Sequence, residues 1–158
     1  MKVDIELARA ALASQPFSVM LGGRLVEFGR EGATLELDVR DELRQQHGFV
    51  HGGVISYLMD NAITFAAGAR LGPDVVTGGF TIDYLRPATG TALTARAQCV
   101  HAGAAYAVVR CDVFDQHGDE LRTCASGQGR VMSLPAGPRA ESTAGRVDAE
   151  AQRPTGRG

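Results

Sequence analysis

Neither charge sign dominates this chain. Its 158 residues carry 16 Lys and Arg against 18 Asp and Glu, a formal charge of −2 at pH 7. No basic field exists to hold a nucleic acid or an anionic membrane. No apolar run is long enough to span a bilayer. The opening MKVDIELARAALASQPF carries acids and lacks the continuous apolar stretch of a signal peptide. These absences predict a cytoplasmic protein. Cysteines are few: Cys99, Cys111 and Cys124 are an odd three without CxxC spacing, which predicts reduced core thiols in strands and neither a disulfide frame nor a zinc site. There is no G-x-S-x-G elbow, which argues against an α/β-hydrolase, and no internal repeat.

What remains is an ordinary single domain, 44% apolar and long enough to bury a core unaided. Ile5, Ala8 and Leu12 recur at helical spacing, with Asp4 as N-cap and Pro16 as stop. From Arg24 the period becomes two: Leu25 to Phe28 and Leu35 to Val39 read as a hairpin turned at 30–32. Residues 40–50 read as a connection. A mostly apolar helix spans 52–69 (Ile55, Leu58, Ala62, Phe65, Ala66), buried on most sides and ended by Gly68 and Leu71-Gly72-Pro73. Four strands follow, 75–85, about 93–99, about 108–113 and 120–133, with His101 in one turn and the run Asp115–Asp119 as another. An antiparallel sheet has one face to bury and this helix is the long apolar partner available. The expectation is therefore an α+β fold: about six curved antiparallel strands wrapped around one central helix, plus a short N-terminal helix, over residues 1–134. Residues 135–158 mix Pro, Gly, Ser and both charges, and read as a disordered tail.

The informative stretch is Gln45–Thr64. Gly53, Ser56, Asp60, Thr64 and Ala67 fall on one line of the apolar helix. Asp60 lies in the third turn, too deep to be a cap, and a carboxylate there is costly unless solvated, paired or used. Bonding a buried backbone group at a subunit contact is the structural alternative to catalysis. At the helix start, His51-Gly52-Gly53 presents N–H groups at the positive end of the dipole, suited to a developing oxyanion. Gly52 and Asp60 are eight residues and ~12 Å apart along the axis, too far to act on one atom within one copy. Two antiparallel helices about a two-fold axis bring them together, so the spacing argues for a dimer with shared sites.

The run Gly48 to Val54 (G-x-V-H-G-G-V), followed by Asp60-Asn61-Ala62, resembles hotdog-fold acyl-CoA thioesterases of the PaaI-like and 4-hydroxybenzoyl-CoA thioesterase type. The segment Val76-Thr77 through Tyr84-Leu85-Arg86-Pro87 resembles the strand of the same family, and the likeness covers about residues 20–133. The resemblance implies hydrolysis of an aryl- or medium-chain acyl-CoA to free acid and CoA, without cofactor or metal. Gly52 N–H would polarise the thioester carbonyl, and Asp60 of the facing subunit would be nucleophile or general base. Gln45 would sit near the thioester, Thr64 would position water, and His51 would shape the loop. Gly53, Thr77, Phe80 and Arg86 would contact substrate. It implies a homodimer that builds the site and a homotetramer of two such dimers. One departure stands out: Gly103 is followed by Ala104 and Ala105 where many relatives carry a basic residue. Arg86, Arg96 and Arg110 are left as candidates for the CoA phosphates.

Rival readings are few. His47 and His51 have a metal-pair spacing but lie in a glycine-containing loop with no third ligand. Asp112 and His117 have the Asp-x4-His spacing of a hotdog hydratase but straddle a strand end and a turn. A non-catalytic acyl-CoA sensor or carrier is the remaining alternative, and it would have no need of Asp60. Tyr57, Phe65 and Phe80 either pack the core or line an acyl pocket.

Overall fold

The computed structural model describes residues 4–135. Their order is α1 (Ile5–Ala13), α2 (Pro16–Leu21), β1 (Arg24–Gly29), β2 (Gly32–Asp38), a 3-10 turn (Asp41–Leu43), α3 (Gly52–Leu71), β3 (Val75–Tyr84), β4 (Ala92–Ala102), β5 (Tyr106–His117) and β6 (Glu120–Ser133). All but the first residue of the expected tail lies outside the described residues.

Asp4 caps α1 as its side chain predicts, accepting the N–H of Glu6 at 2.9 Å. Pro16 does not simply stop the chain. It is the first residue of a second short helix, α2, where a missing N–H costs nothing and the fixed φ is already helical. Arg40 closes the far end of α2, donating to the carbonyls of Leu21 at 2.8 Å and Met20 at 2.6 Å, which the helix itself leaves unpaired.

The six strands form one antiparallel sheet in the order β1-β2-β4-β5-β6-β3. α3 lies against it and touches every strand. Leu58, Met59, Ala62, Ile63 and Ala66 of α3 are completely buried, in one core with Leu35, Leu37, Leu93, Val109 and Val113. This is the hotdog architecture, a sheet curled around one helix. The period-two pattern places Cys99, Cys111 and Cys124 on β4, β5 and β6, as free thiols.

Two turns differ from expectation. β4 continues through His101 to Ala102 with a bulge, and β5 continues through Asp115 to His117, leaving only Gly118-Asp119 as the turn. Polar composition suggested a loop, but cross-strand pairing of His117 with Glu120 extends the ladder.

β3 holds the device that matters for the site. Thr77 and Phe80 are three apart, so a regular strand would point them to opposite faces. A bulge at Gly78-Gly79, with Gly79 at φ +149°, inserts one extra residue against β6. Thr77 then reaches α3 while Phe80 and Ile82 pack against the core.

Candidate active site

α3 begins at Gly52, with His51 as its N-cap. The first-turn N–H groups are disposed unequally. His51 Nδ1 accepts from Gly53 N at 2.9 Å, and His51 O accepts from Val54 N at 2.9 Å. The N–H of Gly52 has no acceptor among the described residues. Because Nδ1 is an acceptor, the neutral imidazole carries its proton on Nε2. Tyr84 Oη donates to Gly52 O at 3.0 Å, and its ring lies where a Cβ on Gly52 would meet it at 3.4 Å. The approach to the helix is tied down by His51 N to Leu43 O at 2.8 Å, Val50 N to Ala88 O at 2.9 Å and Gln45 N to Phe49 O at 2.8 Å.

Asp60 is half-buried. Its Oδ1 accepts from Thr77 Oγ1 at 2.6 Å, and Thr77 Oγ1 lies 2.8 Å from Thr64 Oγ1. Thr64 Oγ1 is also 2.8 Å from the Asp60 carbonyl oxygen, to which it can donate. Three residues expected to have separate tasks therefore form one polar cluster bridging α3 and β3. Asp60 Oδ2 has no hydrogen-bond partner among the described residues. One carboxylate oxygen is anchored, and the other is open.

The remaining candidates are more dispersed. Gln45 Oε1 accepts from His47 N at 2.7 Å, folding the side chain back on its own loop. Gly53 has its N–H occupied by His51, and a Cβ there would meet the imidazole at 3.0 Å. Phe80 packs against the core. Tyr57 is buried, with Phe17 of α2 edge-on to its ring at 5.4 Å, and Phe65 packs edge-on to Phe28 at 6.2 Å. Arg86 is exposed and has no ion pair among the described residues. Arg96 stands over the Phe114 ring at 5.0 Å. With Arg110, Glu27 and Asp112 it lines a hollow of about 650 Å³ on the sheet face away from α3. That hollow contains none of Gln45, Gly52, Asp60, Thr64 or Thr77. Tyr84 and Asp115 are not among the expected site residues, yet Tyr84 braces the helix start and Asp115 holds the backbone of Thr89 and Gly90. Tyr84 lies within the strand motif itself, whereas Asp115 carried only a turn signal.

Residues 47–122 match the thioesterase superfamily. A Mycobacterium tuberculosis protein, named provisionally as an esterase, is 33% identical over 128 residues, covering 78% of this chain and 89% of that one. The chain belongs to the thioesterase superfamily. The 1,4-dihydroxy-2-naphthoyl-CoA hydrolase of Listeria monocytogenes is 26% identical over 98 residues, 61% of this chain and 80% of that one. The acyl-coenzyme A thioesterase PaaI of Escherichia coli is 29% identical over 110 residues, covering 69% and 78%. The solved Escherichia coli PaaI structure superposes with a TM-score of 0.74 at 26% identity, over 83% of this chain and 93% of that one. In this member of the thioesterase superfamily, Asp60, Thr64 and Thr77 meet within the one chain, and the Gly52 N–H, two helical turns away, has no acceptor among the described residues.

Proposed function

We propose that this chain is an acyl-CoA thioesterase that hydrolyses an aryl- or medium-chain acyl-CoA at a site shared by two protomers. The observation that carries the proposal is the division of Asp60, with Oδ1 held by Thr77 and Oδ2 left open. An anchored carboxylate with one free oxygen is oriented for attack or proton abstraction. The thioester carbonyl would lie against the partner's Gly52 N–H, which stabilises the oxyanion as Asp60 Oδ2 attacks or draws a proton from water. CoA then departs as the thiolate, leaving the free acid where water attacked, or a mixed anhydride on Asp60 that water must open to release the acid and restore the carboxylate. Single turnover in ¹⁸O-water reports on the routes: direct water attack puts label only in the product acid, whereas label recovered in Asp60 requires an anhydride opened at its aspartyl carbonyl.

Sharing is supported by β3, which is an edge strand with exposed Val76, Tyr84 and Leu85 at or just beyond it. An exposed apolar edge is a template for a second copy, and two β3 edges paired antiparallel would set two α3 helices side by side in opposite directions. Arg86, exposed beside that edge, is the cation offered to the CoA phosphates. The aryl and acyl-CoA esters named for the Listeria and Escherichia coli relatives define the first substrate panel.

The test uses a substitution that removes the donor while adding a Cβ 3.4 Å from the Tyr84 ring. Proline is favoured at the first helical position, and His51 at ψ 133° already has the extended conformation a following proline requires. Gly52→Pro and Asp60→Ala should each be inactive alone. Mixed and allowed to exchange subunits, they should recover about a quarter of wild-type thiol release, because half the dimers are mixed and each carries one intact site. No recovery on mixing places both groups in one protomer and sinks the shared site. Tight binding of acyl-CoAs without thiol release from any wild-type preparation would favour the sensor or carrier reading.

A further inference from the structure

Asp115 is a carboxylate only 2% exposed, and the chemistry above makes no use of it. A buried charge is costly unless fully hydrogen-bonded, and Asp115 has three partners. Oδ2 accepts from Thr89 N at 2.8 Å and lies 2.7 Å from His117 Nε2, while Oδ1 accepts from Gly90 N at 2.9 Å. Gly90 has to be glycine here, since a Cβ would run into Gln116 O and sit 2.6 Å from Asp115 Oδ1. The carboxylate thus fixes the backbone of residues 89–90.

Residues 88–90 in turn support the loop that enters α3. Val50 N donates to Ala88 O at 2.9 Å. Arg44 bridges the two loops, donating to Gly90 O at 3.3 Å and to Gly48 O at 3.0 Å. Two residues after Val50 comes Gly52. The other end of the 85–91 connection is held separately, by Leu85 N and Arg86 N on Cys124 O at 2.8 and 3.3 Å. Arg86 thus has its own backbone anchor, whereas the helix start is reached from Asp115 through residues 88–90.

We propose that Asp115 is a positioning residue for the thioester site, acting through residues 88–90 and Val50 to fix where the Gly52 N–H points. This rests on the thioesterase function proposed above. Since the Gly52 N–H serves the oxyanion, displacing it weakens the transition state more than the bound substrate. A misplacement near 1 Å costs on the order of 100-fold.

Asp115→Asn retains the volume but puts an amide N–H against one of the backbone donors. Expected is a fall in kcat of roughly 10- to 100-fold, with KM for the acyl-CoA within about two-fold of wild type. Arg44→Gln should lower kcat in the same manner, and the double variant should fall by less than the product of the two, because both act through one loop. Activity is to be normalised to the folded fraction. If the normalised kcat is unchanged, or the two effects simply multiply, the proposal is overturned. Amide exchange gives an arm independent of activity: in Asp115→Asn, Val50 should exchange faster while the middle of α3 keeps its protection. Should wild-type protein cleave no acyl-CoA, the thioesterase function falls by itself, and unchanged exchange at Val50 would then dispose of the positioning role as well.

Discussion

Asp60, Cys111 and Cys124 illustrate how differently a half-buried carboxylate and a buried thiol are treated; Cys99, expected in the core, is only partly buried. Asp60 keeps an open oxygen, so its charge is accessible to a reactant. Burial pushes the Cys111 thiol up to about 12, with the charge of Asp112 adding to it, and burial pushes Cys124 up to about 11. The thiolate is the reactive species, so a disulfide-exchange reagent at about pH 8 should leave both unmodified in the native protein, and denaturant should expose all three thiols. Early native labelling of Cys111 would contradict its burial. The same shifts make an alkaline prediction. From the ordinary thiol value of 9.0 up to about 12, the unfolded chain sheds protons that the folded chain retains. Stability is therefore intact below pH ~9 and falls as pH rises through that window. Denaturant midpoints at increasing pH should show the fall, and Cys111→Ala should lessen it.

At the scale of elements, the bulge in β3 carries the most consequence. Gly79→Ala places a side chain at φ +149°, at a cost of about 1–3 kcal/mol, and releases that strain by moving the register of Thr77. The melting temperature should fall by several degrees, and kcat by more than the lost stability explains, as Thr77 loses Asp60. Gly29→Ala, with nothing near its added Cβ, is the control and should leave kcat unchanged. Elements of this kind divide by how local their cause is. The extent of α3 was legible because an apolar period runs its whole length. The strands were legible where alternation survives, as in β2, β4 and β5, and β3 and β6 from their apolar content and bounding turns. α2 was missed because Pro16 serves equally well as a stop and as a first helical residue, and only the Arg40 contact with its carbonyls decides between them. Asp115 was read as turn because Asp-Gln-His-Gly-Asp is turn-like in composition, whereas its partners Thr89 and Gly90 lie 25 and more residues away. The bulge in β3 is absent from the sequence reading: a glycine pair in a strand permits one, but nothing local tells which residue it turns toward the helix.

For the whole molecule, the proposed shared site would tie activity to association. A site made from Gly52 of one protomer and Asp60 of the other exists only in the dimer. Specific activity should fall on dilution in parallel with the dimer fraction measured by sedimentation; activity that persists in a monomer would refute the shared site. No helix among the described residues is long and apolar enough to cross a membrane. The strand order has a further consequence, for the time at which the site comes into being. β3 pairs only with β6, which begins at Glu120, so Thr77 waits for residues made some fifty positions later. A nascent chain emerging from the ribosome can lay down α3 and the first hairpin early, yet its carboxylate has no anchored Thr77 beside it until the last strand is synthesised. On the proposed roles, incomplete chains would lack an oriented Asp60, and activity would arrive together with the end of the fold.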